Sequence, residues 1–335
     1  VLVDLKSVSM ALIARNIQTG KMADRMVDTL SKIPEVKCYA VVSRTQKKAD
    51  KFSEKWGICQ AYDSYESMLK DSNINLIYVA TPHSEHYKAM KEIIEKGKPV
   101  LCEKAFTINY LQAYDIVTLS EKKGVFVSEA MWMRYLPIYK TLKEFISQGI
   151  IGKIHYITVN ICYPVSHVIR MLKPSLGGGT LLDIGVYALN FVAMFFEDEP
   201  NIISGKATLT TRGVDCQENI SLMWEDGRMA ALQASMMVWG DNIAQISGDK
   251  GYIIIKDFIN PNSFEVFDEK HNKKEYFRPH QITGYEYEIE SSIDNILKGK
   301  IECSDMTHKE TLRIMRWMDI LRKQFKVTYP IENIT

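Results

Sequence analysis

Apolar and polar positions alternate in two different ways along the chain, and the first way covers about the first 130 residues. Four short runs rich in apolar and β-branched residues are VKCYAVVS (36–43), LIYVAT (76–81), PVLCEK (99–104) and VFVSEA (125–130). Polar segments with helical spacing lie between them, at 21–32, 45–56, 83–96 and 108–123. Strands that alternate with helices form βαβ units, and near-continuous apolar strands suit a sheet covered on both faces. The pattern therefore predicts an α/β domain with a parallel sheet.

After about residue 150 the pattern changes, because strand-like runs follow one another without helices between them. These runs lie at 153–163, 202–211, 218–239, 244–256 and 263–269. The sequences EDG and GDKG within them predict hairpin turns. Two amphipathic helices, 285–297 and 308–325, close the chain. This half predicts an α+β domain with a mainly antiparallel sheet, and the domain boundary is expected between 130 and 150.

Composition narrows the class of protein. A length of 335 residues favours two domains, and a net charge of +1 gives no support to a nucleic-acid partner. No apolar run approaches 18 residues, so no membrane span is expected, and Asp4 and Lys6 argue against a secretion signal. The six cysteines are scattered without metal-ligand spacing. We therefore expect free thiols, no metal site and a cytoplasmic location.

The stretch QTGKMADRM (18–26) occupies the turn from the first strand to the first helix. A dinucleotide-binding turn has the pattern G-x-G-x-x-G/A, whose glycines let the backbone approach a pyrophosphate at the helix N-terminus. Gly20 and Ala23 fit the second and third positions, whereas Gln18 replaces the first glycine. The expected cofactor contacts here are Thr19, Gly20, Lys21 and Met22. The stretch is also consistent with an ordinary strand–helix turn.

Two further strand ends carry candidate cofactor contacts. Ser43 and Arg44 end the second strand, and Arg44 follows Gly20 by 24 residues. At this distance from the phosphate turn an arginine suits the 2′-phosphate of NADP. Arg44 is also consistent with a solvated surface arginine. Open α/β sheets bind ligands in a crevice beyond the carboxyl ends of their strands. Three residues that follow the fourth strand are expected to line this crevice: Thr81, Pro82 and His83.

Glu103 and Lys104 end the fifth strand within PVLCEKAF, and both are expected to contact the cofactor. Charges rarely follow a buried strand directly unless they meet a ligand or a partner. A lysine here can bind a ribose hydroxyl, orient a substrate oxygen and lower the pKa of a neighbour. The alternative is a solvated strand end whose charges point outward.

The stretch LGGGTLLDIGVYALN (176–190) places two polar residues in an apolar segment. A helix that begins near Thr180 puts Asp183 and Tyr187 on one face, since residues four apart are neighbours. Burying this pair is costly unless it faces a cleft or a partner. The structural alternative is a helix-terminal acid and a core tyrosine with a hydrogen-bond partner.

CEKAFTIN and LGGGTLLDIGVYALN together resemble the glucose–fructose oxidoreductase/inositol dehydrogenase (Gfo/Idh/MocA) family. SEAMWMRYLP (128–137) and the segment 284–312 resemble its dimeric dihydrodiol dehydrogenase branch, which includes NADP-dependent D-xylose dehydrogenases. The resemblance implies a Rossmann domain at 10–130 and, at 131–335, an α+β domain whose large open sheet often forms a dimer interface. It also implies hydride transfer between NAD(P) and a sugar, polyol or cyclic trans-diol, and Ser43 and Arg44 favour NADP over NAD. A homodimer or a higher homo-oligomer is expected.

The resemblance assigns catalytic roles to Lys104, Asp183 and Tyr187. A phenol with a pKa near 10 is a poor base at neutral pH, and an adjacent ammonium favours the phenolate. Trp132 and Arg134 are expected to contact substrate, and a packing cluster at the domain junction is the alternative.

Arg170 resembles an arginine found at that place in the family, and its role is left open. Two positions depart from the family pattern. Gln18 brings a side chain to the phosphate turn, and Ala105 replaces the proline that often follows the lysine, so a cis bond there is not expected. A cofactor-sensing protein without turnover and a reductase of a non-sugar substrate remain alternative functions.

Overall fold

A computed structural model describes residues 8–13 and 21–332. Its described residues form two compact units that are both discontinuous along the chain. The first unit comprises the chain up to Thr107 together with Leu111–Trp132 and Ile282–Thr311, and the second comprises Ile108–Tyr110, Met133–Gln281 and the chain from Leu312. The segment 282–311 thus belongs to the first unit, where the Val127 amide donates to the Ile301 carbonyl at 3.0 Å. The predicted domain ranges 10–130 and 131–335 stay a prediction.

The first unit contains a six-stranded sheet in which every strand pair is parallel. Its strands are β1 (Val8–Ile13), β2 (Val36–Val42), β3 (Gln60–Tyr62), β4 (Leu76–Val79), β5 (Val100–Glu103) and β6 (Val127–Ala130). Their order is β3-β2-β1-β4-β5-β6, which is the order of dinucleotide-binding folds. Every residue of β4 is buried, as expected for a central strand with both faces covered.

Five helices follow these strands in the chain or lie between them. They are α1 (Lys21–Leu30), α2 (Gln46–Trp56), α3 (Tyr65–Leu69), α4 (His83–Glu95) and α5 (Tyr110–Lys123). Helix α2 ends at Gly57, which adopts a left-handed conformation, and the Ser64 side chain accepts the Ser67 amide at the start of α3. Within this unit the alternation of strands and helices is confirmed.

The second unit contains an eight-stranded sheet with the order β14-β13-β12-β11-β7-β10-β9-β8. Its strands are β7 (Ile154–Cys162), β8 (Ile202–Leu209), β9 (Asp215–Met223), β10 (Met229–Ser235), β11 (Ala244–Gly248), β12 (Gly251–Ile255), β13 (Ser263–Asp268) and β14 (Lys273–Phe277). Only the pair of β7 and β10 is parallel among these strands. The predicted fold class, a Rossmann-type parallel sheet followed by a mainly antiparallel one, is confirmed.

The described chain contains four more α-helices: α6 (Pro137–Ser147), α7 (Val186–Phe195), α8 (Glu286–Leu297) and α9 (His308–Phe325). The antiparallel sheet has one buried face and one open face, as its central strands show. In β10, Ala230, Leu232 and Ala234 are buried, whereas the alternate side chains of Ala231 and Gln233 remain accessible.

One segment, Pro174–Phe195, is long and apolar enough to cross a membrane by length and composition. Its most apolar window is 83% buried inside the protein. Burial of this extent is typical of a core helix, and the segment packs against the sheet of the second unit. Thr180, Asp183 and Asn190 interrupt the apolar residues of this segment, and the expectation that no segment spans a membrane stays a prediction.

Candidate active site

A cavity of about 230 Å³ opens at the carboxyl ends of β1 and β2. It is lined by Ile13, Val42, Ser43, Arg44, Asp63, Ser64, Tyr65 and Glu85. The structure thus brings the predicted pair Ser43 and Arg44 to one cavity, and Arg44 is the only basic residue among the described residues that line it. The Ser43 hydroxyl is buried without a hydrogen-bond partner in the described chain. Buried donors of this kind fit a bound polar ligand.

The loop after β4 carries the next predicted contacts. Pro82 is the N-cap of α4 and His83 is its first residue, so His83 begins the helix. The Thr81 hydroxyl is buried and, among the residues that the structure describes, has no hydrogen-bond partner. Thr81 and Pro82 therefore lie at the carboxyl edge of the sheet, as predicted from the strand order.

His86 connects two loops of this edge, a role that the sequence did not indicate. Its Nδ1 lies 2.9 Å from the Ala105 carbonyl oxygen, and its Nε2 lies 2.9 Å from the Thr81 carbonyl oxygen. Burial lowers the pKa of His86, and a neutral imidazole has one N–H group. Only one of the two carbonyls then accepts a hydrogen bond at a time. The ring fixes the loop after β4 relative to the loop that begins at Lys104.

Glu103 and Lys104 are both half-buried at the end of β5. The hydroxyl of the buried Tyr78 donates to the Glu103 carboxylate, so Glu103 faces the protein interior instead of solvent. Burial and then the Glu103 charge raise the pKa of the buried Glu288 on α8 well above its ordinary value. The Lys104–Ala105 peptide bond is cis, which corrects the expectation from Ala105.

The glycines at 177–179 serve close packing. A Cβ at Gly178 would lie 2.5 Å from the Met171 carbonyl oxygen, and one at Gly179 would lie 2.4 Å from Oδ1 of Asp215. Gly177 and Gly179 also have positive φ angles of 68° and 122°. The turn therefore needs glycine for both space and backbone conformation.

The expected helix near Thr180 begins with a π turn, Leu181–Gly185, and continues as α7. Asp183 and Tyr187 are the only residues between Gly177 and Met194 that are not buried. The predicted polar stripe on a buried helix is thus present. It presents one carboxylate and one phenol from an apolar segment.

Arg170 forms a bidentate ion pair with Asp183. Its Nη1 lies 2.9 Å from Oδ1, and its Nη2 lies 3.2 Å from Oδ2. Bidentate arginine–carboxylate pairs fix the orientation of the carboxylate as well as its charge. A carboxylate offers about four lone-pair sites, so Asp183 keeps acceptor capacity for a substrate hydroxyl.

Arg134 also reaches the helix that carries Tyr187. Its Nη1 donates to Oδ1 of Asn190 at 3.2 Å, and the Asn190 amide donates to the Val186 carbonyl at 2.9 Å. Because Asn190 lies three residues after Tyr187, Arg134 contacts the same side of α7.

Trp132 belongs to the first unit, is 5% exposed and stacks on Tyr285 at 4.4 Å between ring centroids. The Arg25 guanidinium lies 5.8 Å from the Tyr285 ring centroid. This is the packing arrangement that was the alternative for Trp132. Contact of Trp132 and Arg134 with a substrate stays a prediction.

The predicted pyrophosphate turn lies at the limit of the described chain. Gln18, Thr19 and Gly20 are outside the described residues, and α1 begins at Lys21. Met22 is half-buried in the first turn of α1. Among residues 8–13 and 21–332, no group of three or more His, Cys, Asp or Glu side chains is arranged to bind a metal.

Sequence comparison identifies the family to which this architecture belongs. Residues 17–131 match an oxidoreductase family with an NAD-binding Rossmann fold, Gfo/Idh/MocA, and residues 139–254 match the C-terminal domain of the same family. The trans-1,2-dihydrobenzene-1,2-diol dehydrogenase of Xenopus tropicalis is 34% identical over 321 residues, which are 93% of this chain and 97% of that protein. The chain belongs to the Gfo/Idh/MocA oxidoreductase family.

Other members of the Gfo/Idh/MocA family support the same assignment. The trans-1,2-dihydrobenzene-1,2-diol dehydrogenase of Mus musculus is 30% identical, over 94% of this chain and 97% of that protein. The resemblance stated from the motifs and the expectation of an NAD(P)-dependent oxidoreductase are therefore confirmed.

Two solved structures share the fold of this family member. A 3-ketoreductase from Actinomadura kijaniata, in complex with NADP and TDP-benzene, has a TM-score of 0.85 at 20% identity and covers 95% of this chain and 98% of its own. An aldose–aldose oxidoreductase from Caulobacter crescentus, complexed with glycerol, has a TM-score of 0.85 at 20% identity and covers 96% and 98%.

Proposed function

We propose that the protein is an NADP-dependent dehydrogenase or reductase that acts on a hydroxyl or carbonyl carbon of a sugar, polyol or cyclic trans-diol. The observation that carries this proposal is the half-buried pair Asp183 and Tyr187 on an otherwise buried segment. Their oxygens come from one face of this segment, and a polyhydroxylated substrate supplies hydrogen-bonding groups that suit a carboxylate and a phenol. The named relatives, which are dihydrodiol dehydrogenases, support the substrate class.

In this proposal, Tyr187 and Lys104 transfer the substrate proton. The chemistry that NADP supplies when bound is acceptance or donation of a hydride. The Tyr187 oxygen takes the hydroxyl proton during oxidation and returns it during reduction, and the Lys104 ammonium favours the phenolate form. Asp183, oriented by Arg170, accepts a hydrogen bond from a neighbouring substrate hydroxyl. The action of Lys104 and Tyr187 on one substrate is itself part of the proposal.

We propose NADP as the preferred cofactor. The support is the cavity at the end of β2, where Arg44 provides the positive charge and the buried Ser43 hydroxyl provides a donor. The carboxyl edge of the sheet adds the buried Thr81 hydroxyl and the Lys104 side chain. Glu103 accepts a hydrogen bond from Tyr78, and its carboxylate keeps acceptor capacity for a cofactor hydroxyl.

Two further properties complete the proposal. We propose a homodimer formed by the open face of the eight-stranded sheet, which presents alternate side chains of β10 such as Ala231 to the exterior. We also propose a cytoplasmic location, supported by six cysteines that all remain free thiols. Sedimentation of the protein and of Ala231→Asp tests the dimer, and a monomeric wild type would contradict it.

The test of the function uses the intact protein with NADPH and NADP. Quenching or enhancement of NADPH fluorescence measures binding, and absorbance at the nicotinamide band measures oxidation of D-xylose, of a polyol panel and of trans-1,2-dihydrobenzene-1,2-diol. We expect NADPH binding and turnover of at least one of these compounds, with loss of turnover in Lys104→Met. Binding without turnover of any compound would overturn the proposal in favour of a cofactor-sensing protein.

A further inference from the structure

Two buried carboxyl groups of β9 lie beneath the turn that carries Asp183. Oδ2 of Asp215 accepts the Leu181 amide at 2.6 Å, and Asp215 has no accessible surface. Glu218 is 5% exposed, and a Cβ built on Gly185 would lie 2.0 Å from its Oε1. One carboxyl group therefore contacts the first residue of the π turn, and the other contacts the last.

A break in strand register brings both groups to this side of the sheet. In a regular strand, residues three apart point to opposite faces. Thr208 of β8 pairs with Gln217, but Leu209 pairs with Asp215, so Cys216 is an extra residue on β9. A bulge of this kind re-aims the side chain beside it. Asp215 and Glu218 therefore both point toward the π turn.

The π turn itself is matched to the Glu218 carboxyl. The Val186 amide donates to the Leu181 carbonyl, five residues earlier, which widens the turn around Asp183. Single π turns are rare and occur frequently at functional sites. Because Gly185 has no side chain, the Glu218 carboxyl can approach the backbone here, and the missing Cβ of Gly179 accommodates Asp215 in the same way.

Burial of the Glu218 carboxyl group at this position is energetically unfavourable. Neither carboxyl oxygen has a hydrogen-bond partner within the described chain. Burial, and then the Asp215 charge, raise the pKa of Glu218 well above its ordinary value. Buried polar groups without partners are costly, and an apolar side chain of similar size would avoid that cost.

We propose that Asp215 and Glu218 are positioning residues that hold the π turn and thereby orient Asp183 and Tyr187 toward the substrate. Asp215 acts by accepting the Leu181 amide, and Glu218 acts by packing its carboxyl group against Gly185. This inference rests on the proposed function, in which Asp183 and Tyr187 contact substrate. It adds two residues that support the site without reacting.

The test compares Glu218→Ala with Glu218→Gln. We expect Glu218→Ala to lower kcat about 10- to 100-fold, as a misplacement of catalytic groups does, with KM changed far less and NADPH affinity unchanged. Glu218→Gln is expected to keep most of the activity, because the amide has nearly the same size and shape as the carboxyl group that packs against Gly185. A general loss of packing in Glu218→Ala would also lower the unfolding temperature. Thermal unfolding is therefore measured for each variant.

Glu265 provides the matched control. It is a buried carboxylate on β13 of the same sheet, paired with Lys256 at 3.2 Å and Lys273 at 2.6 Å, and it does not contact the π turn. Glu265→Ala is expected to lower the unfolding temperature and leave kcat unchanged. If Glu265→Ala and Glu218→Ala reduce kcat equally at equal stability, the positioning role is overturned.

A readout that does not depend on activity is amide hydrogen exchange in the π turn. We expect exchange at Leu181–Gly185 to be at least about tenfold faster in Glu218→Ala, since local opening follows loss of support. Unchanged exchange together with unchanged kcat would overturn the proposal. If Glu218→Ala does not fold, Gly185→Ala tests the same contact, because its methyl group must displace Oε1.

The two proposals fail in different ways. Normal turnover in Tyr187→Phe would overturn the proposed function, whatever the exchange rates are. Loss of turnover in Tyr187→Phe combined with normal kcat and normal exchange in Glu218→Ala would overturn only the positioning role.

Discussion

At the carboxyl edge of the parallel sheet, polar residues follow directly after strands: Ser43 and Arg44 after β2, and Lys104 after β5. In the second unit, Asp183 and Tyr187 come from inside an apolar segment whose neighbours are buried. Strand order alone places the first group, since ligands bind beyond the carboxyl ends of parallel strands. The second group is placed by tertiary contacts: two glycines, a π turn and buried carboxyls from β9. The second group therefore depends on individual side chains that pack against the π turn.

The largest expected effect on kcat comes from a substitution that removes the proton-transfer group of the second region. Tyr187→Phe is expected to reduce kcat by about 10²- to 10⁴-fold, the range that one positioned proton-transfer group contributes. NADPH affinity should stay nearly unchanged, because the cofactor contacts belong to the first region. Steady-state kinetics and NADPH fluorescence titration measure the two quantities. Tyr276→Phe on β14 is the matched control, and near-normal kcat in Tyr187→Phe would remove this residue from the mechanism.

A second prediction concerns the support beneath the π turn. Burial raises the pKa of Asp215 from 3.8 to about 6, against the effect of its backbone hydrogen bonds. The folded protein therefore binds this proton more tightly than the unfolded chain. Asp215 therefore contributes at most about 3 kcal/mol to the free energy of unfolding. This contribution is present below pH 4 and is lost as the pH rises through about 6.

Asp215→Asn isolates this contribution. Urea unfolding of the wild type and of Asp215→Asn, followed between pH 4 and pH 7, is expected to show the wild type losing stability relative to the variant as the pH rises. The same comparison with Asp226→Asn, an exposed aspartate paired with Arg228, should show no such loss in this pH range. Parallel pH profiles of wild type and Asp215→Asn would contradict the prediction.

A third prediction addresses the first region alone. Arg44→Ala is expected to weaken NADP binding about 10- to 100-fold, the loss of one or two charge-assisted hydrogen bonds, and to affect NAD far less. The cavity then keeps Asp63 and Glu85, whose negative charges disfavour a phosphate and can accept ribose hydroxyl groups. Fluorescence titration with NADPH and NADH checks this. Equal losses for both cofactors would show that Arg44 does not recognise the 2′-phosphate.

The contrast between the regions also explains what the sequence predicts. Apolar runs and strand-end positions identify the parallel sheet, Arg44 and Lys104, because periodicity and strand order are local properties. The spacing of Asp183 and Tyr187 likewise identifies the stripe on the helix. Asp215 is different: regular alternation along β9 would turn it away from the face that holds Glu218, and only the bulge at Cys216 reverses this.

Other features depend on contacts between distant parts of the chain. His86 reads as an ordinary helix residue, yet its ring lies between two carbonyl oxygens from different loops. The segment 282–311 follows the second sheet in sequence but belongs to the first unit. No periodicity within a segment encodes either fact. One local signal is visible in the sequence, which is an acidic residue, Glu218, at a strand position that faces the core. This signal indicates that Glu218 has a specific role near the π turn.

The smallest expected effect distinguishes orientation from charge in the second region. Arg170→Lys keeps the positive charge beside Asp183 but loses the bidentate geometry, so kcat/KM is expected to fall about tenfold. The unfolding temperature should not change, because the Arg170 side chain is 41% exposed and ion pairs at such sites contribute little to stability. Arg228→Lys, which alters another arginine–aspartate pair of the second unit, serves as the control and should leave kcat/KM unchanged. If Arg170→Lys matches the wild type, the charge alone suffices, and Asp183 is oriented from below by the π turn instead of from the side by the arginine.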